Sequence, residues 1–373
     1  MQATIPPVFH KTVDTFRAGA KTLARRYFMS PEIFAKEQEN IFSSQWMLVG
    51  HQSQIAKPGD YFVQEVAGES LIIAHDQEAT LRAFYNVCRH RGTRLCEESG
   101  HSSTIQCPYH AWTYALDGRL IGAPHMDKEG GFDKNDHSLH AINLALWNGF
   151  IFVNLADQPT PLEEIFAPLA GKFTHWNLPK LRAAKRVEYD VRANWKLIFQ
   201  NYSECNHCPG VHPALQKLTP YDLAENDLSE GPFLGGFMPI TKGKSLTMSG
   251  NACASALGDI NAEDFHRVFY YSIFPNMLLS MHPDYVMVHQ IRPQSRERTL
   301  ILCDWLFHPD AFDRPDFHPE DAIEFWDMTN KEDWHVCELS QRGIASRAYE
   351  PGPYSPRESI PAAWDREYLR YIG

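Results

Sequence analysis

The chain has 373 residues, of which 43% are hydrophobic and 22% are charged, and its formal net charge at pH 7 is −11. This length leaves room for two domains with separate cores. No apolar run approaches the ~20 residues that a membrane helix requires, and no long Lys/Arg run offers a surface for nucleic acid. We therefore expect a globular protein whose partners include neither a membrane nor a nucleic acid.

The N-terminus and the cysteines bear on the cellular compartment. Residues 1–21 lack the basic start, apolar centre and cleavage site of a signal peptide, so we expect a cytoplasmic protein. Eight cysteines are too few for a disulfide-dense scaffold in a chain of this length. In a reducing compartment, clustered Cys and His residues indicate metal binding instead.

The N-terminal part of the chain predicts a helix followed by a β-rich stretch. Ser30-Pro31 is typical of a helix start, because a capping hydroxyl precedes proline at the first helical position. From residue 45 to 155, short β-branched and aromatic runs alternate with Gly, Pro and Asp turns, which predicts a small antiparallel domain. The predicted strands are 46–49, 61–66, 71–74, 81–87 and 150–155.

A polar segment with two prolines, residues 157–161, is the best candidate for a domain boundary. Beyond it the sequence predicts an α+β region, with a helix over 194–207 and two helical stretches over about 319–344. The strands expected in this region are 268–274, 277–281, 285–291 and 300–307.

Two short segments of the β-rich stretch each offer one thiol and one imidazole. The pattern is Cys88-x-His90, sixteen residues, then Cys107-x2-His110. Such a set can hold a binuclear [2Fe-2S] cluster, with both Cys on one iron and both His on the other. It could also hold one structural Zn2+ or consist of core residues. Zinc fingers usually pair Cys with Cys and His with His, whereas each segment here mixes them, and this favours the cluster.

A second set of candidate ligands lies near the end of the predicted helix over 194–207. Glu204 and His207 are three residues apart and would share one helix face. Pro209-Gly210 is expected to break the helix and let His212 turn back towards His207. Two imidazoles plus one carboxylate form the facial triad of non-haem Fe(II) oxygenases, which leaves open positions for O2 and substrate. Alone, two histidines with this spacing would more often be core residues.

The third ligand of such a triad must come from a distant carboxylate, and we expect Asp333 in a helical stretch to supply it. Cys205 and Cys208 flank the first histidine, and we interpret them as buried small hydrophobic residues rather than as zinc ligands or a redox dithiol. The carboxylates that periodicity does not separate from Asp333 are Asp327, Glu332 and Glu338.

Together, the mixed Cys/His motif and the later Asn-Trp-Lys followed by Glu-x2-His-x4-His resemble the α-type terminal subunits of the Rieske non-haem iron oxygenases. The resemblance covers most of the chain. It implies an α+β protein with an N-terminal antiparallel β Rieske domain and a C-terminal helix-grip (START/Bet v1-like) catalytic domain. The expected limits are a helical segment over 1–44 that packs on the catalytic domain, the Rieske domain over 45–158 and the mononuclear iron domain over 159–373.

The resemblance also implies roles for individual residues. His207, His212 and Asp333 would bind the mononuclear iron, and Asn201 would be a further catalytic residue. Such enzymes are usually rings of three, in which an acidic residue joins a cluster histidine to an iron-ligand histidine of the neighbouring subunit, and Glu204 matches that bridge. The implied cluster ligands are Cys88 and Cys107 on the inner iron and His90 and His110 on the outer iron.

Many relatives have Asp at the bridging position, and Glu204 is similar to the subgroup that acts on quaternary amines such as carnitine, glycine betaine and stachydrine. The resemblance thus implies a terminal oxygenase that uses O2 to N-demethylate or hydroxylate a quaternary ammonium compound. No Gly-x-Gly-x2-Gly opens a βαβ unit for a dinucleotide. Electrons from NADH or NADPH would therefore arrive through a separate flavin and iron–sulfur reductase.

Aromatic residues on the predicted sheet suit a cationic substrate, because an aromatic ring attracts a cation to its face. Such residues are more often plain core. An aromatic pocket would equally suit a neutral ring, so an aromatic-ring hydroxylating oxygenase is the alternative. A zinc-containing ligand-binding protein without catalysis is the alternative from a different class. The sheet aromatics are Phe269, Tyr270, Tyr271, Phe274 and Tyr285.

Overall fold

A computed structural model describes residues 7–373, and the chain divides into two compact units. The smaller unit is Gln38–Pro168, and the larger unit combines the N-terminal residues up to Glu37 with Leu169–Gly373. The domain limits predicted at residues 45 and 158 fall inside the smaller unit. Residues 1–6 lie outside the described residues. They begin both the predicted N-terminal segment and the stretch that was searched for a signal peptide.

The N-terminal segment contributes one short strand, one 3-10 turn and two α-helices to the larger unit. The predicted helix start is confirmed, because the Ile33 N–H donates to Ser30 Oγ at 3.2 Å and Pro31 occupies the first helical position. Within residues 7–373, none of the helices combines the length and apolarity needed to cross a membrane. The elements are β1 (His10–Lys11), α1 (Arg26–Met29) and α2 (Pro31–Glu37).

The smaller unit is built from three antiparallel sheets. It begins with a π-helical turn and continues with β2 (Met47–His51), β3 (Asp60–Val66), β4 (Glu69–His75), β5 (Leu81–Tyr85), β6 (Gly100–His101), β7 (Thr104–Gln106), β8 (Thr113–Ala115), β9 (Leu120–Gly122), β10 (Asn143–Trp147), β11 (Phe150–Asn154) and helix α3 (Leu162–Ile165). The sheet orders are β5-β4-β3-β6, β7-β8-β9 and β10-β11-β2. One core cluster packs Ile72, Phe84 and Trp112 beside the two cysteines of the predicted cluster motif.

The larger unit is an eight-stranded antiparallel sheet with helices packed against it. Its elements are β12 (Arg182–Val191), α4 (Trp195–Tyr202), α5 (Cys208–Val211), α6 (Pro213–Leu218), β13 (Glu225–Leu228), β14 (Phe233–Pro239), β15 (Arg267–Ile273), β16 (Met277–Met281), β17 (Val286–Ser295), β18 (Arg298–Phe307), α7 (Glu320–Ile344) and α8 (Ser359–Ile372). The strand order is β1-β13-β14-β15-β16-β17-β18-β12.

The long helix α7 packs against β12 and α4 through one apolar face. Trp326, Asn330, Trp334 and Cys337 are buried along it at spacings of three and four residues, as expected for one face of an α-helix. The opposite face is charged and exposed. A long helix over an antiparallel sheet is the helix-grip arrangement that the resemblance predicts.

The helix predicted over 194–207 is shorter than expected. It begins after Asn194, whose side chain accepts from the Lys196 N–H at 3.1 Å, and α4 ends at Tyr202. The expectation that Pro209-Gly210 breaks this helix was wrong, because both residues lie inside α5. Proline is tolerated there because a first-turn N–H has no intrahelical partner to lose.

Other differences concern helices and strands that the residue pattern did not predict correctly. The two helical stretches expected near residues 319–344 form the single helix α7. The strand β12 was not predicted, because charged side chains alternate along its exposed face at one end of the sheet. The strands β13 and β14 and the C-terminal helix α8 were also not predicted.

Candidate cluster and metal sites

The two segments with the mixed Cys/His motif form loops with the same backbone pattern. In each loop the Cys N–H donates to the carbonyl five residues further on, at 2.8 Å for Cys88 and 2.7 Å for Cys107. The residue four positions after the Cys donates back to its carbonyl, at 3.0 and 3.1 Å respectively. That residue has a left-handed φ, 76° at Gly92 and 56° at Ala111. Two matched turns therefore present the thiols and imidazoles.

The four predicted cluster ligands converge. The thiols of Cys88 and Cys107 are buried and interact with each other. The rings of His90 and His110 lie closer to the surface, with centroids 4.8 Å apart. Trp112 stacks on His90 at 4.8 Å, and His90 Nδ1 is buried without a hydrogen-bond partner among residues 7–373. Two inner thiols and two outer imidazoles are the donor set that a Rieske cluster requires.

The electrostatics of the loops favour metal binding at Cys107 and His90, whereas burial raises the pKa of Cys88. Burial raises the pKa of Cys107, but the backbone N–H groups of Tyr109 and His110 outweigh it and leave the pKa below that of a free thiol. Burial and the nearby charges of His110 and Arg91 lower the pKa of His90. A thiolate and a neutral imidazole are the forms that bind metals.

Tyr114 adds a hydrogen bond to the inner side of this site. Its hydroxyl lies 3.4 Å from Cys88 Sγ and accepts from the Arg89 N–H at 3.0 Å. Because the hydroxyl already accepts from the backbone, its own proton is free to donate to the sulfur. Hydrogen bonds to the sulfurs tune the reduction potential of such clusters.

The second set of ligands is assembled in the larger unit, where one carboxylate faces two imidazoles. Asp333 Oδ1 lies 2.8 Å from His212 Nε2 and 3.3 Å from His207 Nε2. Glu204 Oε1 binds His207 Nδ1 at 2.7 Å from the other side, and Glu332 Oε2 binds His212 Nδ1 at 2.6 Å. Two imidazole nitrogens and one carboxylate oxygen converge, and this donor set fits a mononuclear Fe(II).

The geometry separates the four carboxylates between which periodicity could not choose. Glu332 binds the outward nitrogen of His212, a role that the sequence did not assign. Asp327 binds the Tyr189 hydroxyl and Lys331. Glu338 accepts from a backbone N–H. Of the four, Asp333 is the residue whose oxygen faces both Nε2 atoms.

The pKa values reflect this concentration of acidic groups. Burial opposes protonation of His207, but the hydrogen bonds to Asp333 and Glu204 raise its pKa to about 10. Burial would raise the pKa of Asp333, but the hydrogen bonds to His207 and His212 lower it to about 2. The carboxylate is therefore ionised, and a bound cation would take the place of the imidazole protons.

The interpretation of Cys205 and Cys208 as two buried small hydrophobic residues was wrong. They form a disulfide with a Cα–Cα distance of 5.0 Å, because the turn into α5 brings positions three apart together. Cys208 is buried, and its sulfur lies within 4.8 Å of the ligand atoms of His207 and His212.

A cavity of about 320 Å3 opens beside the metal site. The three predicted iron ligands, Asn201 and Glu204 all line it. Of the five aromatic residues predicted to lie on the sheet, Tyr270 is the one in the lining. The other aromatic residues of the lining were not predicted, because they come from α4, β14, β17, α7 and the turn before β13. They are Tyr202, Tyr221, Phe237, His289, Trp326 and Trp334.

Two family models match the chain. Residues 178–373 match the ring hydroxylating alpha subunit (catalytic domain), and residues 45–144 match the Rieske [2Fe-2S] domain. The first match contains the three residues of the candidate metal site. The second contains the four residues of the two matched loops.

Several curated relatives are similar over most of their length. The chain is 32% identical to the glycine betaine monooxygenase oxygenase subunit of Chromohalobacter salexigens, over 91% of this chain and 83% of the relative. It is 30% identical to the carnitine monooxygenase oxygenase subunit of Escherichia coli, over 88% of this chain and 86% of the relative.

Solved structures with the same fold include the quaternary ammonium Rieske monooxygenase CntA in complex with L-carnitine, with a TM-score of 0.81 and 28% identity. That match covers 95% of this chain and 96% of the other. Naphthalene 1,2-dioxygenase from Rhodococcus sp. shares the fold with a TM-score of 0.76 at 21% identity, covering 94% of both chains.

Proposed function

The chain belongs to the Rieske oxygenases with a ring-hydroxylating alpha-subunit catalytic domain, and we propose that it is the terminal oxygenase of a system that oxidises a quaternary ammonium compound. The observation that carries the proposal is the Asp333 oxygen that faces His207 and His212 beside an aromatic cavity. Membership of this family also excludes a zinc-containing binding protein without catalysis.

The cofactors follow from the family, and we assign their ligands from the geometry. The [2Fe-2S] cluster would be held by the two matched loops, and the mononuclear iron by His207, His212 and Asp333. When bound, that iron supplies the open positions at which O2 and substrate meet. Glu332 and Glu204 hold the far nitrogens of the two imidazoles and so fix their orientation and raise their basicity.

The cavity supports a cationic substrate. Tyr202, Tyr270, Trp326 and Trp334 line one space, and each ring whose face lies within ~6 Å of a trimethylammonium group would contribute ~0.5 to 2 kcal/mol. The relatives named for glycine betaine and carnitine act on compounds of this class. Oxygen insertion into an N-methyl C–H bond would give an N-hydroxymethyl group that leaves as formaldehyde, so we propose N-demethylation, with hydroxylation as the other outcome.

An oxygenase subunit of this family implies a separate reductase, and we propose that the reductase passes electrons from NADH or NADPH to the cluster. We further propose a ring of three subunits in which Glu204 joins His207 to a cluster histidine of the neighbouring subunit. The support is the 2.7 Å contact between Glu204 and His207 Nδ1. A cytoplasmic location stays a prediction.

The test uses the complete chain with its cluster and iron in place. The protein is supplied with NADH and a non-cognate reductase, and O2 uptake and formaldehyde are measured with carnitine, glycine betaine, choline, benzoate and naphthalene. Formaldehyde from a trimethylammonium compound, coupled to O2 uptake, is the expected result. Hydroxylated ring products without formaldehyde would overturn the substrate assignment in favour of aromatic hydroxylation.

A further inference from the structure

His289 lies in the wall of the cavity but outside the metal site. It stands on β17, is 1% exposed, and its ring centroid is 6.2 Å from that of Tyr202 and 6.0 Å from that of Trp334. A buried polar ring among aromatic side chains needs hydrogen-bond partners, because an unpaired polar atom is costly in an apolar environment. The partners of His289 therefore indicate what it does.

A chain of hydrogen bonds holds one nitrogen of the ring. The Tyr189 hydroxyl donates to Asp327 Oδ1 at 2.9 Å and accepts from Asn330 Nδ2 at 3.3 Å. This orientation of the amide leaves Asn330 Oδ1 to face His289 Nε2 at 3.2 Å. A carbonyl oxygen only accepts, so the proton of the imidazole is on Nε2.

The other nitrogen of the ring is left with a lone pair. Burial lowers the pKa of His289 to about 4, which keeps the ring neutral at pH 7. Its Nδ1 is buried and has no hydrogen-bond partner within residues 7–373. The hydroxyl of Tyr270, on the same cavity wall, is buried and unpaired in the same way. Because the His289 ring lines the aromatic cavity, the wall carries a fixed, unpartnered acceptor. A trimethylammonium group cannot satisfy this acceptor, because that group has no N–H.

We propose that His289 is a specificity-determining residue that accepts a hydrogen bond from a donor on the substrate, either a hydroxyl or an ammonium N–H. This inference rests on the proposed function: it requires a hydrogen-bond donor on the methylammonium substrate, and it admits a tertiary ammonium group beside the quaternary one. A quaternary substrate would carry the donor as a hydroxyl near the cationic group. A tertiary dimethylammonium substrate would carry it as the N–H itself. Tyr189 is a positioning residue, because it lies outside the cavity lining and acts through Asn330. Asn330, which also lines the cavity, keeps the proton of His289 on Nε2.

Two matched ligand pairs distinguish these sources on the iron-loaded enzyme. Carnitine and γ-butyrobetaine differ by one hydroxyl, and N,N-dimethylglycine and glycine betaine differ by one N–H in place of a methyl group. Dissociation constants come from calorimetry, and KM and kcat come from formaldehyde release. We expect the donor-bearing member of one pair to bind about tenfold more tightly. A preference within the first pair identifies the donor as a hydroxyl, and a preference within the second pair identifies it as an ammonium N–H.

Variants of His289 and Tyr189 test whether Nδ1 causes the tighter binding of the donor-bearing ligand. His289→Phe should abolish this preference by raising the Kd and KM of the donor-bearing ligand about tenfold, with kcat little changed. His289→Gln, which still offers an acceptor, should retain part of the preference. Tyr189 does not line the cavity, and Tyr189→Phe should weaken the preference by releasing Asn330. The matched control is His282→Phe, the same change at a buried histidine outside the cavity, which should leave the preference intact.

Two outcomes would overturn the inference: wild-type enzyme that discriminates neither pair in favour of the donor, or a preference that survives in His289→Phe. Both differ from failure of the proposed function. That failure would appear as no formaldehyde from any methylammonium compound, whatever the residue at position 289.

Discussion

The two candidate metal sites are built in opposite ways. The four predicted cluster ligands come from two loops that together span 23 residues (88 to 110) and share one backbone hydrogen-bond pattern. The mononuclear site joins His207 and His212 to Asp333, which is 121 residues from His212 along the chain. The first site is mainly a product of local turn geometry. The second exists only when α7 packs over the sheet and against α4.

This difference predicts how each site fails. A ligand change in the loops should abolish the cluster and leave the larger unit folded. A change on α7 should affect the mononuclear iron while the visible spectrum of the cluster is preserved. Spectrum, iron content and turnover are therefore three separate measurements, and each substitution below should alter a different subset of them.

Cys107→Ser should have the largest effect. A hydroxyl is a poor substitute for a thiolate ligand, so the visible absorbance and the acid-labile sulfide should fall to background. The control is Cys96→Ser, at a buried cysteine of the same core that is not in the motif, and this variant should keep its colour. A red-brown Cys107→Ser protein would contradict the ligand assignment in the loops.

Asp333→Asn should reduce formaldehyde release on the order of a thousandfold, equivalent to about 4 kcal/mol in kcat/KM. The physical reason is the loss of the anionic ligand that faces both imidazoles. Mononuclear iron content should fall while the cluster absorbance is unchanged. Glu338→Gln, on the same helix, serves as the control. Equal turnover in both variants would move the third ligand elsewhere.

Glu332→Gln should have a smaller effect, about 10- to 100-fold in iron affinity or turnover. Glu332 does not face the Nε2 atoms but holds His212 Nδ1 at 2.6 Å, so its loss weakens the orientation and basicity of a ligand without removing one. Titration of the metal-free protein with Fe(II) measures the iron affinity. Glu324→Gln, at an exposed position of α7, should bind iron like the wild type. An unchanged affinity in Glu332→Gln would show that this contact is not needed.

Tyr114→Phe should have the smallest effect and should be confined to the cluster. Losing a hydrogen bond worth ~1 kcal/mol to Cys88 should lower the reduction potential by about 40 mV. Redox titration followed by visible absorbance measures the shift, and iron content should not change. Tyr61→Phe, whose hydroxyl lies near Cys96 rather than near a motif cysteine, should titrate like the wild type.

Much of the fold could be predicted from the pattern of residues. The strands with buried faces, such as β3 and β16, were predicted nearly to their ends because alternation and β-branched runs are strong signals. The edge strand β12 was missed because its exposed face is charged. The length of α4 was overestimated because tertiary contacts end the helix at Tyr202. One of them is a Ser203–Ser272 hydrogen bond at 3.0 Å, and the local sequence pattern does not predict such a contact.

The sequence by itself determined the chemistry of the candidate ligands: the mixed Cys/His pairs, the His-x4-His segment and, through the resemblance, the family. Only the tertiary structure separated Asp333 from Glu332, Asp327 and Glu338, paired Cys205 with Cys208 and brought His289 into the cavity. The physical reason is distance. Spacing within one turn or loop follows from backbone geometry, whereas a contact across more than a hundred residues depends on how α7 packs over the sheet.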